Sequence, residues 1–132
     1  MSNLVPAFNN HFSEFIDDIS NLFPDNVDIL TAKNGLSTIR KANPKLLVKI
    51  WFTYVYEPYK SQIDSGDINF FITKDYSSDL SNLNKTDNIA KIMESIDRLR
   101  QPIKEMSAEN QAKSMKYIQN LSKISVLSMM NS

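Results

Sequence analysis

Few side chains in this sequence can do chemistry, and the single histidine is the first to weigh. His11 stands beside Phe12 in an apolar-rich stretch. As a general base it needs a nucleophile and an orienting carboxylate, and as a metal ligand it needs His or Cys companions. The chain offers one His, no Cys and no nucleophile-elbow pattern, so a structural or solvent-facing histidine is expected. Asp64, Ser65, Gly66 and Asp67 faintly suggest a calcium loop. The EF-hand register, with acids at alternate places, glycine sixth and a bidentate Glu twelfth, is not met. Turn chemistry with Asp67 as a helix cap is expected instead. Asp17 and Asp18 are adjacent on a helix and therefore point apart, which excludes an acid/base dyad. No catalytic residue, metal ligand or cofactor is expected.

Binding chemistry is better represented. Trp51, Phe52, Tyr54, Tyr56 and Tyr59 crowd a short segment and cannot all share one face of a helix. The surplus rings must pack on a second element or lie in an interface, where Tyr and Trp are favoured for their area and polar tip. Trp51, Tyr54, Tyr56 and Tyr59 are the protein-contact candidates. Charge is segregated although the total is zero, with 15 Lys and Arg against 15 Asp and Glu. Residues 1–30 carry Glu14, Asp17, Asp18, Asp25 and Asp28 and no Lys or Arg. Lys33, Arg40, Lys41, Lys45 and Lys49 then follow before the next acid, Glu57. Two uses are open. The basic residues, joined by Arg98, Arg100 and Lys104 if the helices are adjacent, form a patch for phosphates or another anion, or they are a solvated helix face or the complement of the acidic first helix.

The elements that must hold these groups are helical. A chain of 132 residues with 42% hydrophobic content makes one domain with a core and needs no disulfide. Two glycines leave no Gly-rich phosphate loop. Phe8, Phe12, Phe15, Ile16, Ile19, Leu22 and Phe23 recur at helical spacing on one stripe, which predicts a first helix over about 7–22. Pro24 ends it, and Asp25 is expected to cap a second helix burying Ile29, Leu36 and Ile39. Asn43 and Pro44 read as cap and first residue of a third helix with Leu47, Ile50, Trp51 and Tyr54 inward, until Pro58 ends or kinks it. Ile68 to Ile72 suit a short helix better than a strand, which would lack a pairing partner. The Ser-, Asn- and Asp-rich residues 76–86 form the longest loop. Thr86 or Asp87 caps a fifth helix through Ile92, Met93, Ile96 and Ile103, with Pro102 bending its last turn. Ser107 caps a sixth with Met115, Ile118, Leu121 and Ile124 inward, and order is expected to end near Leu127. The expected fold is all-α, a compact bundle of five to six mostly antiparallel helices with Pro-kinked segments. The first residues lack a secretory pattern, no stretch suits a membrane span, and membrane insertion is not expected.

Asn43-Pro44-Lys45-Leu46-Leu47 with Ile50-Trp51, the stretch YVYEPY from Tyr54, SGDINFFITKDYSSDL from Ser65 and EMSAENQAKSMKYIQNLSKIS from Glu105 together resemble short helical proteins of large nucleocytoplasmic DNA viruses of the mimivirus type. The resemblance runs from about residue 8 to 125 and involves no catalytic signature. It implies a minor virion or virus-factory component, located in the particle or the host-cell cytoplasm, that binds a viral protein or a second copy of itself. The alternative is a packaging or regulatory protein holding nucleic acid through Lys33, Arg40, Lys41, Lys45 and Lys49.

Overall fold

The computed structural model describes residues 4–73 and 88–130. Helix α1, Val5–Leu22, has Pro6 in its first turn, where a missing N–H costs nothing. Of its stripe Phe8, Phe12, Phe15, Ile16 and Ile19 are buried, whereas Leu22 at the helix end is exposed and Phe23 half-buried, because the chain turns away there at Pro24. Pro24 disfavours the helical region at Phe23, whose N–H closes the helix on the Ile19 and Ser20 carbonyls at 3.2 Å each. Helix α2, Val27–Ala42, is capped by Asn26 and not by Asp25: Asn26 Oδ1 accepts the Ile29 N–H at 3.1 Å. The reason is register, since the cap must lie three residues before Ile29, which is buried with Ala32, Leu36 and Ile39. Asp28 in the first turn and Arg40 and Lys41 in the last complement the helix dipole.

Asn43 closes α2 and does not cap its successor. The Leu46 N–H meets the Asn43 carbonyl at 3.1 Å in one tight turn, and α3 spans Leu46–Ile50. The helix then widens into a π-helix, Trp51–Tyr56, which the Glu57 N–H closes on the Phe52 carbonyl five residues back. A wider turn shifts the buried stripe by one residue. Leu47, Ile50 and Trp51 point inward as expected, but Val55 takes the fully buried place foreseen for Tyr54, which is half-buried. Pro58 sits in a 3-10 turn, Glu57–Tyr59, leading into α4, Lys60–Ser65. Gly66 ends α4 in the left-handed region, φ 78°. There the Asp67 N–H reaches the Gln62 carbonyl at 2.9 Å and the Gly66 N–H reaches Ile63 at 3.1 Å. Asp67 Oδ1 accepts the Asn69 N–H at 3.0 Å at the entry to α5, Asn69–Thr73. The segment is helical, with Phe70 and Phe71 buried.

The loop expected at 76–86 and the caps at Thr86 and Asp87 lie outside the described residues. Helix α6, Asn88–Arg98, breaks at Leu99 before α7, Arg100–Lys104. Pro102 cannot donate to the Arg98 carbonyl and its ring would strike it, so the break comes a turn before the proline. Ser107 Oγ accepts the Asn110 N–H at 3.2 Å and starts α8, Ala108–Met130. That helix continues past Leu127, where fraying was expected. Helices α2 and α6 pack on each other, as do α1 and α8. Trp51 packs against α1, edge-on to Phe8 and Phe12 with ring centroids 6.1 Å and 5.6 Å away. The fold is an all-α bundle, with no strand among the described residues. No described helix is long and apolar enough to cross a membrane.

Candidate binding surfaces

The aromatic segment divides between core and surface. Trp51 is 1% exposed, and its indole N–H donates to Ser122 Oγ at 3.0 Å. It is a core residue and presents nothing to a partner, contrary to its place among the contact candidates. The physical reason is that α1 supplies a phenylalanine-lined slot large enough for an indole. Tyr54, Tyr56 and Tyr59 are half-buried against the core edge. Tyr56 leans toward Phe52 with centroids 6.2 Å apart, and Tyr59 toward Phe70 at 5.5 Å.

Tyr56, the last residue of the π-helix, lines a groove of about 570 Å³ between α4 and the C-terminal half of α8. Ile63, Val126 and Leu127 supply its other apolar lining, with Asp64 on the α4 wall and Lys123 on the α8 wall. The walls are tied together by Gln119, whose Nε2 donates to the Ile63 carbonyl at 2.9 Å. Beside it Leu127 is 50% exposed, and Met130, one turn further along the helix, 75%. Neither residue was singled out from the sequence. The signal was present, because Met115, Ile118, Leu121 and Ile124 already fill one stripe of the helix and Leu127 and Met130 are apolar residues beyond that need.

The basic residues separate likewise. Lys33 Nζ lies 3.0 Å from Asp17 Oδ1. Arg40 reaches across to α1, its Nη1 and Nη2 donating to Ser13 Oγ at 2.7 Å and Asn10 Oδ1 at 2.6 Å. Arg98 pairs with Asp28 at 2.8 Å and Arg100 with Asp97 at 2.7 Å. These four therefore complement the bundle's own polar groups. Lys41, Lys45 and Lys49 are exposed around the α2–α3 turn and have no ion pair among the described residues.

His11 is half-buried, its ring 4.9 Å from that of Tyr117 and its Nδ1 3.7 Å from the Glu14 carboxylate. Asp17 and Asp18 diverge as adjacent helix residues must, Asp17 to Lys33 on α2 and Asp18 to α8, where Tyr117 Oη donates to Asp18 Oδ2 at 2.5 Å. That hydrogen bond, with desolvation and the charges of Asp18 and Glu14, pushes the Tyr117 hydroxyl up to about 12. No group of three or more His, Cys, Asp or Glu side chains is placed to hold a metal ion among the described residues. No protein-family model, curated protein or solved structure matches the chain.

Proposed function

We propose that this chain is a non-enzymatic structural or adaptor protein that works by holding another protein in the groove between α4 and α8. The observation that carries the reading is the apolar surface gathered at one place: half-buried Tyr56 and Val126 line the groove over the buried Ile63, Leu127 stands exposed on its α8 wall, and Met130 is exposed one turn further along that helix. Apolar residues scattered singly need no explanation, but a cluster beside a concave surface rimmed by charge is a usual mark of a contact site. Tyr56 adds a ring that keeps a polar tip at the edge.

The test replaces Leu127 and Met130 together by Asp. Both are exposed, so the fold should lose no more than about 0.5 kcal/mol. The wild-type chain, isolated gently from cells that make it, should migrate in a complex larger than its own 15.1 kDa, and the paired variant should return to that mass. An unchanged complex in the variant overturns the reading. Placement in a virion or virus factory rests on the resemblance to mimivirus-type proteins. Enrichment in purified particles at a fixed ratio to the major capsid protein supports it, and absence from particles removes the virion.

A second reading is favoured by one observation, the grouping around the α2–α3 turn of three exposed lysines, Lys41, Lys45 and Lys49, that have no ion pair among the described residues. It makes the α2–α3 turn a phosphate-contacting corner for nucleic acid. Lys33 and Arg40, held by α1, fall out of that patch.

A further inference from the structure

We infer that the occupant of the α4–α8 groove is a second copy of this chain, related to the first by a two-fold axis running along the groove. The inference rests on the proposed contact role of that groove and names its partner. The argument is charge. Asp64 and Lys123 line opposite walls of the same groove, both are exposed, and neither has an ion pair among the described residues. Rotation by half a turn about an axis along the groove carries the α4 wall of one copy over the α8 wall of the other. Lys123 then faces Asp64 of the partner subunit, and Asp64 faces Lys123 of the partner subunit, so one isologous contact makes the pair twice.

A surface of a single sign would repel its own copy, whereas this one carries one charge of each sign, placed so that the same rotation satisfies both. The apolar part is equally self-complementary in kind. Leu127 and Met130 project on the α8 side, and the half-buried Tyr56 and Val126, backed by the core residue Ile63, offer the other copy an apolar lining. The receiving surface is held in shape without a partner. Gln119 fixes α4 to α8 through the Ile63 carbonyl, and the Ser122 hydroxyl at the floor is already engaged with Trp51 and the Ile118 carbonyl. The groove therefore needs little reordering to close, which limits the entropic cost of association.

The experiment is sedimentation equilibrium of the purified full chain and its charge-reversed variants. The wild type should show a monomer–dimer equilibrium. Lys123→Glu and Asp64→Lys, each alone, place like charges opposite one another twice per dimer and should weaken self-association by about tenfold or more. The two single variants mixed should form a heterodimer, because each then carries the sign the other lacks. The double variant, with the charges exchanged, should recover the wild-type equilibrium. Unchanged circular dichroism shows that each variant is folded, as exposed positions predict.

A wild type that is monomeric at millimolar concentration overturns the inference, as do single variants that dimerise like the wild type or a mixture that does not rescue. A monomeric purified chain whose cellular complex still collapses in the Leu127→Asp, Met130→Asp variant removes the second copy but keeps the contact role. Insensitivity in both experiments removes both.

Discussion

The Trp51 indole N–H and the Ser122 hydroxyl meet at 3.0 Å in the centre of the bundle, joining the π-helix to α8. Ser122 Oγ also donates to the Ile118 carbonyl at 2.8 Å, and Ser125 Oγ to the Ser122 carbonyl at 2.7 Å. Both serines are buried, so each hydroxyl would be costly without these partners. The Trp51–Ser122 bond anchors the first residue of the widened turn, and Tyr56 at the other end of that turn forms part of the groove.

Removing this anchor should be expensive. Trp51→Ala should cost about 3–5 kcal/mol in denaturant unfolding, the range for emptying a large buried aromatic site. Ser122→Ala strands the indole N–H and should cost about 1–3 kcal/mol. In a double-mutant cycle with Trp51→Phe the two costs should be non-additive. Additive costs would mean the bond contributes nothing of its own.

The cap of α2 is a discriminating detail. Asn26→Ala should destabilise by about 1 kcal/mol, because it orphans the Ile29 N–H. Asp25→Ala should stay within about 0.5 kcal/mol. The reverse order in thermal unfolding would return the cap to Asp25.

Tyr117 should titrate near 12 in place of the ordinary value of 10. The proton is the one donated to Asp18, so the folded state holds it more tightly than the unfolded chain. Stability from this bond is complete below pH 10 and is lost as pH rises toward 12. Asp18→Asn should bring the phenolate absorbance change of Tyr117 back toward the ordinary value of 10. An unmoved titration would mean that Asp18 is not the cause.

The lysine corner can be counted through salt. Lys41, Lys45 and Lys49 acting on three phosphates give a slope of log K against log salt of about −2.7, against about −4.5 if Lys33 and Arg40 also engaged duplex DNA. Lys33→Ala should leave the slope unchanged and cost no more than about 1 kcal/mol of stability, as an exposed ion pair does. A slope that falls with Lys33→Ala would show that the α1–α2 pairs open to bind nucleic acid. Absence of binding at low salt would remove this reading.

What the sequence revealed of the fold follows from period and caps. The phenylalanines of α1 and the isoleucines of α6 repeat so regularly that only a helix can bury them together. Ser107 and Asp67 do what their side-chain oxygens suggest. The π-widening left no such trace, because a one-residue shift of phase between Tyr54 and Val55 is decided by how Trp51 seats against Phe8 and Phe12. The position of the break before Pro102 follows from the carbonyl that the ring would strike, and the sequence marks only the proline. The split of the basic run also needed the third dimension, since Lys33 pairs with Asp17 and Arg40 hydrogen-bonds to Ser13 and Asn10 on α1, while the later lysines have no such partner among the described residues. Of the groove, only Tyr56 was singled out, although the sequence carried the apolar surplus of Leu127 and Met130. Asp64 lay in a motif read as a turn, and Lys123, Leu127 and Met130 belong to a helix end whose exposure depends on where α4 comes to rest.

The most direct test of a protein-binding groove is a photo-reactive side chain placed at Leu127 in one preparation and at Lys41 in another, irradiated in cells that make the chain. The account predicts a defined protein adduct from position 127, mapping to groove residues of a second copy or to one other protein, and none of that mass from position 41. Equal adducts from both positions, or none from 127, would contradict it.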